Sequence, residues 1–121
     1  MNRITIFIVD DEPLIVDGLC VTIESLGMPL RIAGTAYDGE SALEQIRKCK
    51  PNLILSDIRM KHMDGLELAR KLKTLLPFSK TILLSGYNEF SYAQSALRSS
   101  VFDYLLKPIG SEALRECLGK R

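Results

Sequence analysis

Three carboxylates stand where short apolar runs end: Asp10 and Asp11 in "IFIVDDEP", and Asp57 in "LILSDIRM". Two more runs end in Ser85, within "LLSGY", and Lys107, within "DYLLKP". Brought together, three acids raise one another's pKa sharply unless a cation intervenes, so the set asks for a metal. The donors are hard oxygens, without cysteine or histidine at these ends, which favours Mg2+, or Mn2+, over zinc. Magnesium keeps several waters and takes one or two carboxylates plus phosphate oxygens, so a phosphate is the expected guest. Asp57, apart from the pair, is placed to act as a nucleophile giving an aspartyl phosphate. Phosphoryl transfer needs positioning and charge neutralisation. Lys107 offers a point charge for it, Ser85 a hydroxyl donor and Gly86 room for a backbone N–H. Singly, each residue reads as a turn or surface position; their joint occurrence at four separate ends carries the inference.

The elements that must hold these residues are legible in the hydrophobic pattern. Apolar runs at residues 4–9, 30–35, 53–56, 81–84 and 101–105 are mostly continuous, which predicts strands covered on both faces. Between them, Ile15, Leu19, Ile23 and Leu26, and again Leu68, Leu72, Leu75 and Leu76, recur at helical spacing. Pro13 suits a first helical position, Gly27 and Pro29 end the first helix, and Asn88 can cap a helix carrying Phe90, Ala93 and Leu97. Five such units predict an open parallel sheet with helices on both faces, an α/β fold. Ligands then bind outside the carboxyl ends of the strands. The second run, ending "TAYDGE", carries nothing comparable to the other four and is expected at an edge away from the site.

A chain of 121 residues is one domain's worth, and 46% hydrophobic with 26% charged residues is a soluble composition. No apolar run reaches bilayer length, and Asp10 interrupts the first run too early for a secretory signal, so the expected location is cytoplasmic. Cys20, Cys49 and Cys117 are widely spaced and odd in number, which predicts reduced, structural thiols. With a formal net charge of +1 and no Lys/Arg block, direct nucleic-acid binding by this domain is not expected.

The stretches "IVDDEP", "SDIRM", "MDGLEL", "LLSGY" and "DYLLKP" resemble, in order and over nearly the whole chain, the receiver domain of two-component response regulators. That resemblance implies a (βα)5 flavodoxin-like sheet of order 2-1-3-4-5. It implies Asp57 as the phosphoacceptor of a sensor histidine kinase. Mg2+ would be held by Asp11, Asp57 and the backbone carbonyl of Arg59, and through water by Asp10, with Glu12 outside that shell. It further implies a cis bond between Lys107 and Pro108, a phosphoryl contact from Lys107, and a switch in which Ser85 closes on the phosphoryl group and Tyr104 turns inward. The repacked face comprises the fourth helix, fifth strand and fifth helix, and is also the expected homodimer surface. Such a domain signals and catalyses only its own phosphorylation and dephosphorylation. The stretch from "LLSGY" to "LLKPI" resembles receivers that precede an AraC-type DNA-binding domain, so residues 1–121 are expected to be the N-terminal part of a longer transcriptional regulator.

Some positions depart from the family or carry no role. Lys61 replaces the proline usual four residues after the phosphoacceptor, and is read as pointing into solvent; Ser100 replaces a glycine before the fifth strand. Arg59 and Tyr87 lie where the family tunes phosphoryl lifetime. His62 is assigned no role, Met60 and Met63 are read as packing, Lys71, Lys73 and Arg98 as solvated, and Phe90, Tyr92 and Phe102 as core or interface. The competing reading is a haloacid-dehalogenase-like Mg2+-dependent phosphatase, whose nucleophile sits in a D-x-D motif on the first strand. Here that strand ends in adjacent Asp10 and Asp11. A flavin module would need a hydroxyl- and glycine-rich phosphate loop where these acids stand.

Overall fold

The computed structural model describes residues 4–86 and 101–119. In chain order it contains β1 (Ile4–Val9), α1 (Pro13–Ser25), β2 (Leu30–Ala36), α2 (Gly39–Cys49), β3 (Leu53–Asp57), α3 (Gly65–Leu75), β4 (Lys80–Ser85), β5 (Asp103–Leu106) and α4 (Ser111–Gly119). The five strands pair in parallel in the order β2-β1-β3-β4-β5, as the family resemblance implies. The expected helix around Phe90, Ala93 and Leu97, with Asn88, lies outside the described residues, as do Tyr87, Tyr92, Arg98 and Ser100.

Strand alternation splits the core into two faces. Ile6 and Ile8 of β1 point to a cluster with Leu53, Leu55, Ile82 and Leu84, covered by Val16, Leu19 and Ile23 of α1 and by Leu114 and Leu118 of α4. Phe7 and Val9 point the other way, onto Ala42 and Ile46 of α2 and Leu68 and Leu72 of α3. The central strands β3 and β4 are buried almost throughout, because helices cover both of their faces. The edge strands β2 and β5 are only half-buried, so the expectation of strands covered on both faces holds for the interior of the sheet alone.

Local signals set the helix ends. Pro13 opens α1 as expected, and Gly27, at φ 70°, takes the left-handed conformation just past its end. Asp38 and Asp64 cap α2 and α3, their carboxylates accepting from the N–H groups of Ser41 and Glu67. The α3 stripe departs from expectation: Leu68 and Leu72 are buried, but Leu75 is 45% exposed, and Leu66 and Ala69 complete the buried face. The fifth strand starts two residues later than expected, with Val101 buried ahead of it and the Phe102 N–H donating to the Thr81 carbonyl. Cys117 is buried and Cys20 half-buried, but Cys49, ending α2, is exposed and has no structural role in the core. An Arg115 guanidinium nitrogen donates to the Leu26 carbonyl at 2.7 Å, tying α4 to the end of α1.

Candidate functional site

The site forms where β1, β3, β4 and β5 end side by side. Parallel strands lie about 4.8 Å apart, so consecutive strand ends deliver their next residues to one cavity. Val9 is paired with Ser56, Asp57 with Leu84 and Ser85 with Leu106, which brings Asp10, Asp57, Ser85 and Lys107 to neighbouring positions. The Lys107 N–H donates to the Ser85 carbonyl at 2.8 Å, fixing the start of the last loop, and the Lys107–Pro108 bond is cis.

Asp10 is fully buried. Its N–H donates to the Ala36 carbonyl, one carboxylate oxygen accepts from the Glu12 N–H at 3.0 Å, and the other accepts from Lys107 Nζ at 3.1 Å. Lys107 Nζ is also 3.1 Å from Asp57 Oδ1, which accepts in addition from the Ile58 N–H. One cation therefore bridges two buried carboxylates. Gly65 lets α3 start directly behind the phosphoacceptor candidate, since a Cβ there would overlap the Asp57 carbonyl oxygen. Ser85 is 0% exposed, and its hydroxyl has no hydrogen-bond partner among the described residues. A buried hydroxyl costs free energy unless paired, so an orphan at this position calls for a ligand.

Burial and the neighbouring Asp10 charge push the Asp57 carboxyl up to about 6, against the opposing pull of Lys107. For Lys107 burial acts downward, but the hydrogen bonds to Asp10 and Asp57 outweigh it and raise its pKa. A carboxylate facing a firmly charged lysine would ordinarily ionise more easily. Asp57 does not, because burial penalises its charge and the Asp10 carboxylate beside it shares the same lysine.

Asp10, Asp11, Asp57, Ser85 and Lys107 all lie at this end of the sheet, and side-chain contacts join Asp10, Lys107 and Asp57. The carboxylate oxygens within 4.8 Å of one another belong to Asp10, Asp11 and Glu12, so Glu12, which the resemblance leaves outside the cation's first shell, has a ligand atom in this group. Asp57 meets the group through Lys107. Lys107, expected as a phosphoryl contact, stands as the counter-ion of Asp10 and Asp57. The adjacency of three acids in "DDEP" was the available signal for Glu12. Arg59, Lys61 and His62 are exposed in the loop after Asp57, and Met63 is buried, as expected of Lys61 and Met63. Tyr104, on β5, is half-buried against Ile58, Leu66, Ala69, Leu83 and Val101.

A parallel sheet of order β2-β1-β3-β4-β5 with acids, a hydroxyl and a cis-linked lysine at its strand ends defines a receiver. Residues 6–119 match the response regulator receiver domain family, and the chain belongs to it. It is 38% identical over 109 residues to the uncharacterized transcriptional regulatory protein YesN of Bacillus subtilis, a match covering 90% of this chain and 30% of that protein. The REC domain of AraT, a response regulator from Geobacillus stearothermophilus, superposes with a TM-score of 0.91 at 38% identity, covering 98% of this chain and 92% of that one. A two-component transcriptional regulator AraC from Clostridium phytofermentans gives 0.84 at 33% identity, covering 98% and 92%. The chain spans less than half the length of the curated relatives it matches. Nothing among these relatives supports the phosphatase alternative.

Proposed function

We propose that Asp57 is the phosphoacceptor and that it takes a phosphoryl group from a phosphohistidine of a sensor histidine kinase. The P–N bond to the imidazole breaks as a P–O bond forms to a carboxylate oxygen, and the imidazole leaves. The observation that carries the reading is the buried Ser85 hydroxyl, without a partner among the described residues and one strand away from a carboxylate that Lys107 already contacts at 3.1 Å. Lys107 would hold phosphoryl oxygens and Ser85 would donate to one.

The donor set fits a hard divalent cation, Mg2+ or Mn2+: the grouped ligand atoms are carboxylate oxygens, with no sulfur or imidazole. Asp10, Asp11, Asp57 and the Arg59 carbonyl would hold it. When bound it supplies positive charge to the transferring phosphoryl oxygens. An apolar groove of about 450 Å³, lined by Leu14, Ile15, Gly18, Leu19, Thr22, Pro108 and Ile109, adjoins the site, and Lys107 lines it too. A docked kinase seated there would stand beside the acceptor.

Phosphorylation at Asp57 would draw Ser85 inward and with it Tyr104, repacking the face that includes β5 and α4; the expected fourth helix lies outside the described residues. That face would serve output or homodimer formation. Residues 1–121 would be the N-terminal receiver of a longer cytoplasmic regulator with an AraC-type DNA-binding domain, a reading supported by the names of the relatives and their greater length. Its own phosphorylation and dephosphorylation would be its only catalysis. No helix among the described residues is long and apolar enough to cross a membrane.

Incubation with acetyl phosphate and Mg2+, followed by intact mass, tests the proposal. One added phosphoryl group, lost with Asp57→Ala or EDTA, is the expected result. Turnover of many phosphoesters with no modified protein would overturn it.

A further inference from the structure

We infer that Gly39, the first residue of α2, is a positioning residue for the cation site, holding the loop that carries the Arg59 carbonyl. The inference rests on the Mg2+ reading above. It comes from the one strand end whose residues offered no chemistry, the "TAYDGE" turn after β2.

Gly39 is buried, and a Cβ on it would lie 2.7 Å from the Met63 carbonyl oxygen and 2.9 Å from Met63 Cβ. The nearer atom is backbone, so no rotamer change relieves the overlap, and either α2 or the loop must move. Neither is free to. The α2 start is pinned by the Asp38 carboxylate, which accepts from the Ser41 N–H at 2.7 Å. On the other side, the Met63 N–H donates to the Lys61 carbonyl at 2.8 Å, across His62 at φ 68°. A non-glycine residue in that left-handed conformation persists only where its surroundings over-determine it.

The loop is closed at its base by the Gly65 N–H donating to the Ile58 carbonyl at 2.8 Å. With both ends tied and Met63 buried against the α2 side of the sheet, a push at Met63 has few residues to dissipate in before reaching Arg59. The same turn holds the other half of the seat, since the Ala36 carbonyl accepts from the Asp10 N–H. The edge strand thus buttresses the cation site through its backbone while contributing no ligand. Oxygen-only sites depend on where their ligands are held, and outer contacts of this kind matter to metal affinity.

The test is Mn2+ binding to the unphosphorylated chain, followed by isothermal titration or by the EPR signal of free Mn2+. Gly39→Ala is expected to weaken binding about ten-fold, while Gly34→Ala leaves it within about two-fold. Gly34, on β2, is the control: its Cβ would come within 2.7 Å of the Phe7 side chain and meets no backbone atom of the loop. A folded Gly39→Ala that binds like wild type overturns the inference, and so does an equal loss in Gly34→Ala, which would reduce it to general destabilisation. Should Gly39→Ala fail to fold, Asp38→Ala loosens the same helix start without added bulk, and unchanged Mn2+ affinity there is equally fatal. Wild-type protein that binds no Mn2+ would instead refute the cation reading itself.

Discussion

Replacing Asp57 by asparagine should stabilise the metal-free protein at neutral pH and leave it unchanged in acid. Asp10 and Asp57 are buried with one lysine between them, and Asp57 in the native state holds its proton up to about pH 6, against an ordinary value of 3.8. Between those two values the native state binds more protons than the unfolded state, so wild-type stability falls as pH rises through the window. At about 1.4 kcal/mol per pH unit, the penalty amounts to roughly 3 kcal/mol at most above pH 6. Asparagine mimics the protonated carboxyl without its charge. Urea denaturation in EDTA should therefore show Asp57→Asn more stable than wild type by about 1–3 kcal/mol at pH 7.5, shrinking toward zero near pH 4. Adding Mg2+ should raise wild-type stability more than that of the variant, because a ligand stabilises the state that binds it. An advantage that is independent of pH, or a variant less stable than wild type at pH 7.5, would refute the electrostatic account.

The converse change should be costly. Lys107→Met removes the cation at 3.1 Å from both carboxylates and leaves buried charges uncompensated, so stability at pH 7.5 should fall by about 3–5 kcal/mol. The loss should be partly recovered in acid, where the carboxyls protonate, and a loss equal at pH 7.5 and pH 4.5 in urea titrations would count against the bridge. For the switch, fluorine NMR of fluorotyrosine-labelled protein should show the Tyr104 resonance moving when a phosphoryl mimic and Mg2+ are added. A Tyr104 resonance that stays put would remove it from the mechanism.

Most of the fold was readable because it follows from local chemistry. Buried parallel strands favour continuous apolar runs, and Ile6–Val9, Leu53–Leu55 and Ile82–Leu84 supply them in β1, β3 and β4. The edges were harder to place: β5 is short and half-exposed, so its burial pattern carries less signal and its start was misjudged by two residues. Leu75 misled for a related reason, since it keeps helical spacing with Leu68 and Leu72 yet falls at the last turn of α3, where the sheet no longer covers it.

The sequence alone determined which residues could do the chemistry. The types of Asp10, Asp11, Asp57, Ser85 and Lys107, each following a run that must be a strand, already called for a hard cation and a phosphoryl group. Only the tertiary structure decided how they share charge. That Lys107 is shared by Asp10 and Asp57, that the Ser85 hydroxyl has no partner among the described residues, and that Gly39 lies where a Cβ would overlap Met63 all depend on distances between segments far apart in the chain. Residue type and spacing fix what a strand end can offer. Strand order and register fix which ends meet, and electrostatics over a few ångströms then depends on that meeting.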